Sequence, residues 1–302
     1  MIGVSPDRRY FVADGRPFFY LADTVWAAFY GTQPGEWEPY LRARREQGFN
    51  TLQISVLPIL HDCERPLRRV PFAVGKDGAW DLNRPDDAYF AYAVERLRDA
   101  RAMGFKISLT LLWGNYVPGN WMSKNHPGVA MDDGQRERFI RYVAERFAGL
   151  YEFCFLSGDV DFTTPENEAA YLSALRLHKR LAPGVLTTLH SAGRNTFIPE
   201  AFLQAPELDF YVYQSGHGGD TLKDAALMAP PFLGYPARPL VNAEPCYEAH
   251  GNGPERFRMA DVFYVFWQSV LAGAVAGFTY GAHGVWSWHA PDTIFGNAGW
   301  SK

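Results

Sequence analysis

Two acidic residues stand where packing alone gives them no reason to be. Glu244 follows the short apolar run Pro239, Leu240 and Val241 in the stretch RPLVNAEPCYE, and Pro245 comes directly after it. Proline has no N–H and disfavours helix at the residue before it, so a strand should stop here with Glu244 at its tip. Asp159 follows the run Phe153, Cys154, Phe155 and Leu156 and the breaker Ser157-Gly158. That run reads as a strand buried on both faces. A carboxylate at the carboxyl end of a buried strand is poorly placed for packing and well placed for chemistry. The structural alternative for Glu244 is a rim carboxylate held by Arg238 or Arg258.

Two carboxylates at one mouth can hydrolyse a glycosidic bond. One protonates the departing oxygen, and the other attacks the anomeric carbon or activates a water. The acid must hold its proton near neutral pH, which burial or a like-charged neighbour brings about. Asp161 and Glu248 are candidates for that neighbour, or for replacing either member of the pair. Around the pair, Asp23, Gln53, His190, Gln214, His217 and Glu248 offer hydrogen bonds to sugar hydroxyls, with an ordinary structural hydrogen bond as the rival for each. Tyr247 or Tyr280 is placed to touch and tune the nucleophile. Trp26, Trp113, Trp121 and Trp286 fall near strand ends, where flat rings can stack on sugar faces; core packing is their rival reading.

Histidines 190, 217, 250 and 283 cluster near the later strand ends, so a metal-dependent barrel hydrolase is an alternative. Against it, no His-x-His pair follows the first strand and HExxH occurs nowhere. A third reading keeps the barrel as a non-catalytic carbohydrate-binding protein. The preferred reading needs no cofactor and no metal; its partner is a carbohydrate substrate.

These residues need a scaffold that brings distant strand tips together. Positions 159 and 244 are 85 apart, and a strand-helix unit takes roughly 30 residues, so three units fit between them. Residues 10–22 read as a hairpin around Asp14-Gly15. Further strands are expected to end at Asp23, Ser55, Trp113, Ser157, His190, Gln214, Glu244 and Tyr280, with helices between them. Asp132 with Gln135 resembles a capping box, and Thr164-Pro165 marks another helix start. A last helix is expected from Pro254 to about Gly273. Residues 58–85 break the rhythm and read as an inserted loop or small hairpin over the mouth. The pattern predicts a single α/β domain over residues 1–302, a (β/α)8 TIM barrel with an N-terminal β-hairpin. No eighth helix has room after Tyr280. The expectation is either a shortened chain end or a last strand covered by another chain, for instance in a homo-oligomer.

Composition agrees with this class. The 302 residues are 47% hydrophobic and 21% charged, enough for a sizeable core. A net charge of −4 argues against nucleic acid or an anionic membrane as partner. Cys63, Cys154 and Cys246 are too few and scattered for a disulfide framework or a zinc ribbon. Cys154 reads as a core thiol, and Cys246 as packing or a reactive neighbour of Glu244. No apolar signal segment opens the chain, so a cytoplasmic location is expected.

The segments GRPFFYLADTVW, REQGFNTLQ, FLSGD, YQSGH and NAEPCYE occur in that order between about Tyr10 and Trp286. Together they resemble the apiosidase-like glycoside hydrolases, family 140 and its relatives. The resemblance implies a (β/α)8 barrel with an acid/base after strand four and a nucleophile after strand seven, here Asp159 and Glu244. It also implies removal of apiose from a plant pectin side chain as the type activity. Two departures stand out. The family usually has Gly-Gly-Asp where this chain has Ser157-Gly158-Asp159, so Ser157 is expected to alter how closely substrate approaches. A final helix, and often a β-sandwich, usually follows.

Overall fold

The computed structural model describes residues 2–62, 67–218, 220–251 and 256–289. Eight parallel strands form one sheet: β1 (Tyr20–Thr24), β2 (Thr51–Ser55), β3 (Lys106–Trp113), β4 (Phe153–Gly158), β5 (Leu186–Thr188), β6 (Tyr211–Tyr213), β7 (Leu240–Asn242) and β8 (Gly277–Tyr280). Neighbours run β5-β4-β3-β2-β1-β8-β7-β6, so β8 pairs with β1 as a barrel requires. The remaining seam, between β5 and β6, is bridged by Asp209 N–H donating to Thr187 O at 2.9 Å and Thr188 Oγ1 donating to Phe210 O at 2.6 Å. The result is a nearly closed α/β barrel.

Helices follow the strands: α1 (Trp37–Glu46), α2 (Asp87–Ala102), α3 (Asp133–Arg146), α4 (Pro165–Leu181), the short α5 (Glu200–Leu203) and α6 (Thr221–Asp224), and α7 (Met259–Ala272). Local chemistry sets several starts. Asp132 and Gln135 form a reciprocal capping box on α3, and Thr164 caps α4 with Pro165 in its first turn. α7 begins at Met259; the expected start at Pro254 lies outside the described residues, as do Cys63 and the chain after His289. Residues 58–85 contain a hairpin of Phe72–Val74 and Trp80–Pro85.

The hairpin expected over residues 10–22 is corrected in one respect. Phe11–Ala13 and Arg16–Phe18 pair around Asp14 and Gly15, both with positive φ, and Ile2–Val4 adds a third strand. The second arm then breaks at Phe19, and Tyr20 enters β1 of the barrel instead. This small sheet closes the N-terminal end of the barrel. Phe11, fully buried, meets Phe153 and Phe210 edge to face at 5.2 Å each. A second core lies between the sheet and the helices, where Leu52, Ile54, Ile107, Leu109, Cys154 and Leu156 pack.

Candidate active site

The carboxyl ends of the strands surround a cavity of about 240 Å3. Its polar lining includes His61, Asp62, Asp159, Gln214, His217, Glu244 and His250, and its walls include Trp26, Trp113, Trp121, Tyr247 and Trp286. Glu244 lies two residues beyond β7 and Asp159 one beyond β4. One oxygen of each and one nitrogen of His190 lie within 4.8 Å of one another. Asp159 has φ +56°, in the left-handed region that non-glycine residues enter infrequently and aspartate more readily than most, and such conformations gather at functional sites. Gly158, just before it, is required: the Trp113 ring lies where a Cβ would sit, at 2.4 Å.

The two carboxylates are biased in opposite directions. Burial, and then the charge of Glu244, push Asp159 up to about 7, against the pull of His190 and its Gln214 hydrogen bond. Glu244 is also buried, which works upward, but contacts from His190 and His217 outweigh that and hold it near about 2. His217 Nε2 donates to Glu244 Oε1 at 2.9 Å, and His190 Nε2 lies 3.3 Å from Oε2. Gln214 Nε2 donates to Asp159 Oδ1 and, at 2.8 Å, to Ser191 O.

His190 is itself held from several sides. Its backbone N–H donates to Ser157 Oγ at 2.9 Å, and that hydroxyl donates back to His190 O at 3.1 Å. Phe155 stacks on its ring at 5.7 Å. His190 is fully buried beneath the cavity, between the two carboxylates, and does not line it. Ser157 is likewise fully buried, so the expectation that it alters substrate approach is corrected: its hydroxyl ties β4 to the backbone after β5.

Of the remaining anticipated site residues, Trp26, Trp113, Trp121, Gln214, His217, Tyr247 and Trp286 line the cavity. Asp23, Gln53, Glu248 and Tyr280 do not. Asp23 faces the helix layer, where its Oδ2 accepts from Tyr40 at 2.7 Å and Arg44 at 2.6 Å. Gln53 points into the barrel interior; its Oε1 accepts from Tyr20 and Thr279, and its Nε2 donates to Ala243 O. Tyr280 donates to Glu248 and lies under Arg44, away from the nucleophile candidate. Neither Asp161 nor Glu248 lines the cavity; the like charge raising Asp159 belongs to Glu244. Arg238 is spent on Tyr211 and on backbone carbonyls, and Arg258 on Asp261, so neither is the partner of Glu244. Cys246 is buried and its thiol is pushed up to about 12, which makes it a packing residue.

His61 and Asp62 are the members that sequence reasoning left in the inserted loop. His61 Nδ1 meets Asn115 Oδ1 at 3.2 Å, and its Nε2 lies 4.0 Å from Asp159 Oδ2. Burial, with Asp159 and Glu244 nearby, pushes Asp62 up to about 7. Their signal was a titratable pair soon after a strand end, a weak one without the loop's path.

An α/β barrel with paired carboxylates at the tips of β4 and β7, walled by tryptophan, has the layout of a barrel glycosidase. The sequence model of the family described as "Apiosidase-like, catalytic domain" matches residues 5–302, and the chain belongs to that family. It is a glycosidase. Among solved structures, one described as "Glycoside hydrolase" is similar over 99% of this chain and 69% of its own, with a TM-score of 0.79 and 21% identity. A family 5 glycoside hydrolase from Bacteroides vulgatus has a TM-score of 0.78 and 21% identity over 98% of this chain and 65% of its own. An endo-1,4-beta-mannanase from Rhizomucor miehei has a TM-score of 0.62 and 12% identity over 92% and 89%. These likenesses concern the fold. No curated protein matches the sequence. Among the described residues, no helix is long and apolar enough to cross a membrane.

Proposed function

We propose that the chain removes a terminal sugar with retention of configuration, with Asp159 as acid/base and Glu244 as nucleophile. One observation carries the reading: two carboxylates share a pocket within 4.8 Å and are biased to opposite protonation states. Retaining pairs stand about 5–5.5 Å apart and inverting pairs roughly 6.5–9.5 Å, the latter leaving room for a water between carboxylate and sugar. An oxygen of each carboxylate within 4.8 Å of the other leaves little room for a water between the groups, which favours the closer, retaining arrangement.

Glu244 enters as a carboxylate and attacks the anomeric carbon. The bond to the departing oxygen breaks as Asp159 gives that oxygen its proton. Once Glu244 is esterified, its negative charge is gone, and the largest charge holding Asp159 up disappears with it. Asp159 then ionises more readily, which suits its second task of taking a proton from the incoming water. Water adds to the anomeric carbon, Glu244 leaves as a carboxylate, and Asp159 is reprotonated. The cavity is smaller than the roughly 300–1,000 Å3 of drug-sized sites, which supports a single sugar ring as occupant.

The family points first to apiosides as substrates, and the mannanase neighbour adds β-mannosides to the panel. The test is Glu244→Gly with azide and an activated aryl glycoside. A glycosyl azide of inverted configuration supports the nucleophile, while a turning-over parent matched in rate by Glu244→Gln and Asp159→Asn rejects both assignments. A second reading rests on the same trio, because Asp159, His190 and Glu244 present ligand atoms close enough for a divalent cation. Activity lost to a chelator and restored by a metal would favour it over the carboxylate mechanism.

A further inference from the structure

α7 is apolar on the side where a surface helix should be polar. Val262, Val265 and Ser269 face the barrel. At 100° per residue the opposite side carries Ala260, Phe263, Tyr264, Trp267 and Leu271. Phe263, Tyr264, Trp267 and Leu271 are 57%, 57%, 55% and 82% exposed. Elsewhere the same barrel follows the ordinary rule. The outward side of α3 carries Glu137, Arg138, Arg141 and Glu145, with Arg141 paired to Glu137 at 2.8 Å. The charged residue in α7 is Asp261, in its first turn and bonded to Arg258. Exposed Met259 extends the stripe at one end, and Val275 and Leu233, which packs on Gly273, extend it at the other.

A helix apolar all round is normally buried. With whole aromatic side chains near 150–250 Å2, the half-exposed residues named leave on the order of 800 Å2 open. Patches on monomers are commonly a few hundred Å2. A standard stable interface takes about 800 Å2 from each partner.

We propose that this face is the contact surface of a symmetric homodimer, with α7 packed antiparallel on α7 of a second copy. A twofold contact needs a self-complementary surface, and the stripe has its bulk, Tyr264 and Trp267, near the middle with apolar arms on both sides. Antiparallel pairing sets the positive end of each helix dipole beside the negative end of the other. No charge in the middle of the stripe has to be desolvated. Helices that lie on membranes instead carry lysine and arginine on a polar face, and the inward face of α7 is packed on the barrel.

The test is the solution mass of the full chain from about 1 to about 100 µM, by light scattering or sedimentation. The parent is expected at twice 34.1 kDa at the upper concentration. Trp267→Glu with Leu271→Glu should weaken dimerisation by at least about 100-fold, the scale of a central aromatic anchor. Since neither side chain touches the cavity, glycosidase activity and the thermal melt of the diluted monomer should match the parent. A parent at 34.1 kDa throughout would overturn the proposal, as would a dimer indifferent to both substitutions. A monomer that floats with phosphatidylcholine vesicles would assign the face to a membrane instead.

Discussion

At the N-terminal end of the barrel, Phe11 meets Phe153 and Phe210, and Tyr20 meets Phe153 at 5.0 Å, all edge to face and without a charge among them. At the other end, the same sheet delivers Asp159 and Glu244 into a shared cavity, with His190 and His217 against Glu244. The closed end consists of contacts that each lower the free energy of the fold. The open end retains features that raise it: a left-handed aspartate, worth about 1–3 kcal/mol where such strain is stored, and an Asp159 carboxyl that burial and the charge of Glu244 keep from ionising at its ordinary pH. Gln53 lies between the two, a buried polar side chain with its hydrogen bonds satisfied, and marks where packing gives way to chemistry. The contrast teaches that stability and reactivity are assigned to opposite ends of one sheet.

The largest effect expected is at the open end. Glu244→Gln keeps the shape of the side chain and removes the nucleophilic carboxylate. It should lower kcat on an aryl glycoside by at least about 10⁴-fold, as loss of a nucleophile does, while the melting temperature at neutral pH falls modestly, because the fold loses a carboxylate that His190 and His217 hold ionised. A variant as active as the parent would move the chemistry elsewhere in the cavity. Next comes the closed end. Phe11→Ala leaves a void among Phe153, Phe210 and Tyr20, and should cost about 3–5 kcal/mol in urea unfolding. Its kcat and pH profile should match the parent wherever the variant is folded. A changed pH profile would mean that the plug reaches the mouth, and the division between the ends would fail.

Much of this layout was legible because punctuation in the chain is local. β4 runs through Ser157 and stops at Gly158, and β7 stops at Asn242, two residues short of Glu244, so the expected ends fall within two residues of the observed ones; the helix starts at Asp132 and Thr164 are capping chemistry. The side-chain direction at each strand tip was not legible. A strand buried on both faces shows no alternation from which to read its phase. Asp23 and Gln53 therefore looked alike, yet one faces the helices and the other the barrel interior. The break at Phe19 was hidden because nothing in RPFFYLA signals a turn; the two strands join different sheets for tertiary reasons. His61 and Asp62 reach the mouth through a loop held by distant residues, the hydroxyls of Tyr89 and Tyr116 donating to Val56 O and Pro58 O.

The smallest effect is also the most direct measure of what the open end retains. The Asp159 carboxyl sits near 7 in the fold against an ordinary value of 3.8, with burial the first cause and Glu244 the second. Between these two values the folded protein keeps a proton that the unfolded chain releases. Stability from this group is therefore complete below about pH 4 and is lost as pH rises toward 7. Asn at this position cannot titrate, so Asp159→Asn should gain on the parent through that window and level off above it. The side chain is 26% exposed, so water screens part of the effect. A gain of about 1–2 kcal/mol at pH 8, vanishing below pH 4, is expected from denaturant unfolding at the two pH values. The parent's kcat should fall over the same range as pH rises through about 7, because the acid is then unprotonated, while Glu244 stays ionised throughout. A stability difference independent of pH would show that Asp159 titrates normally, and the acid role would have to pass to Asp62, the other carboxyl in the cavity pushed up to about 7.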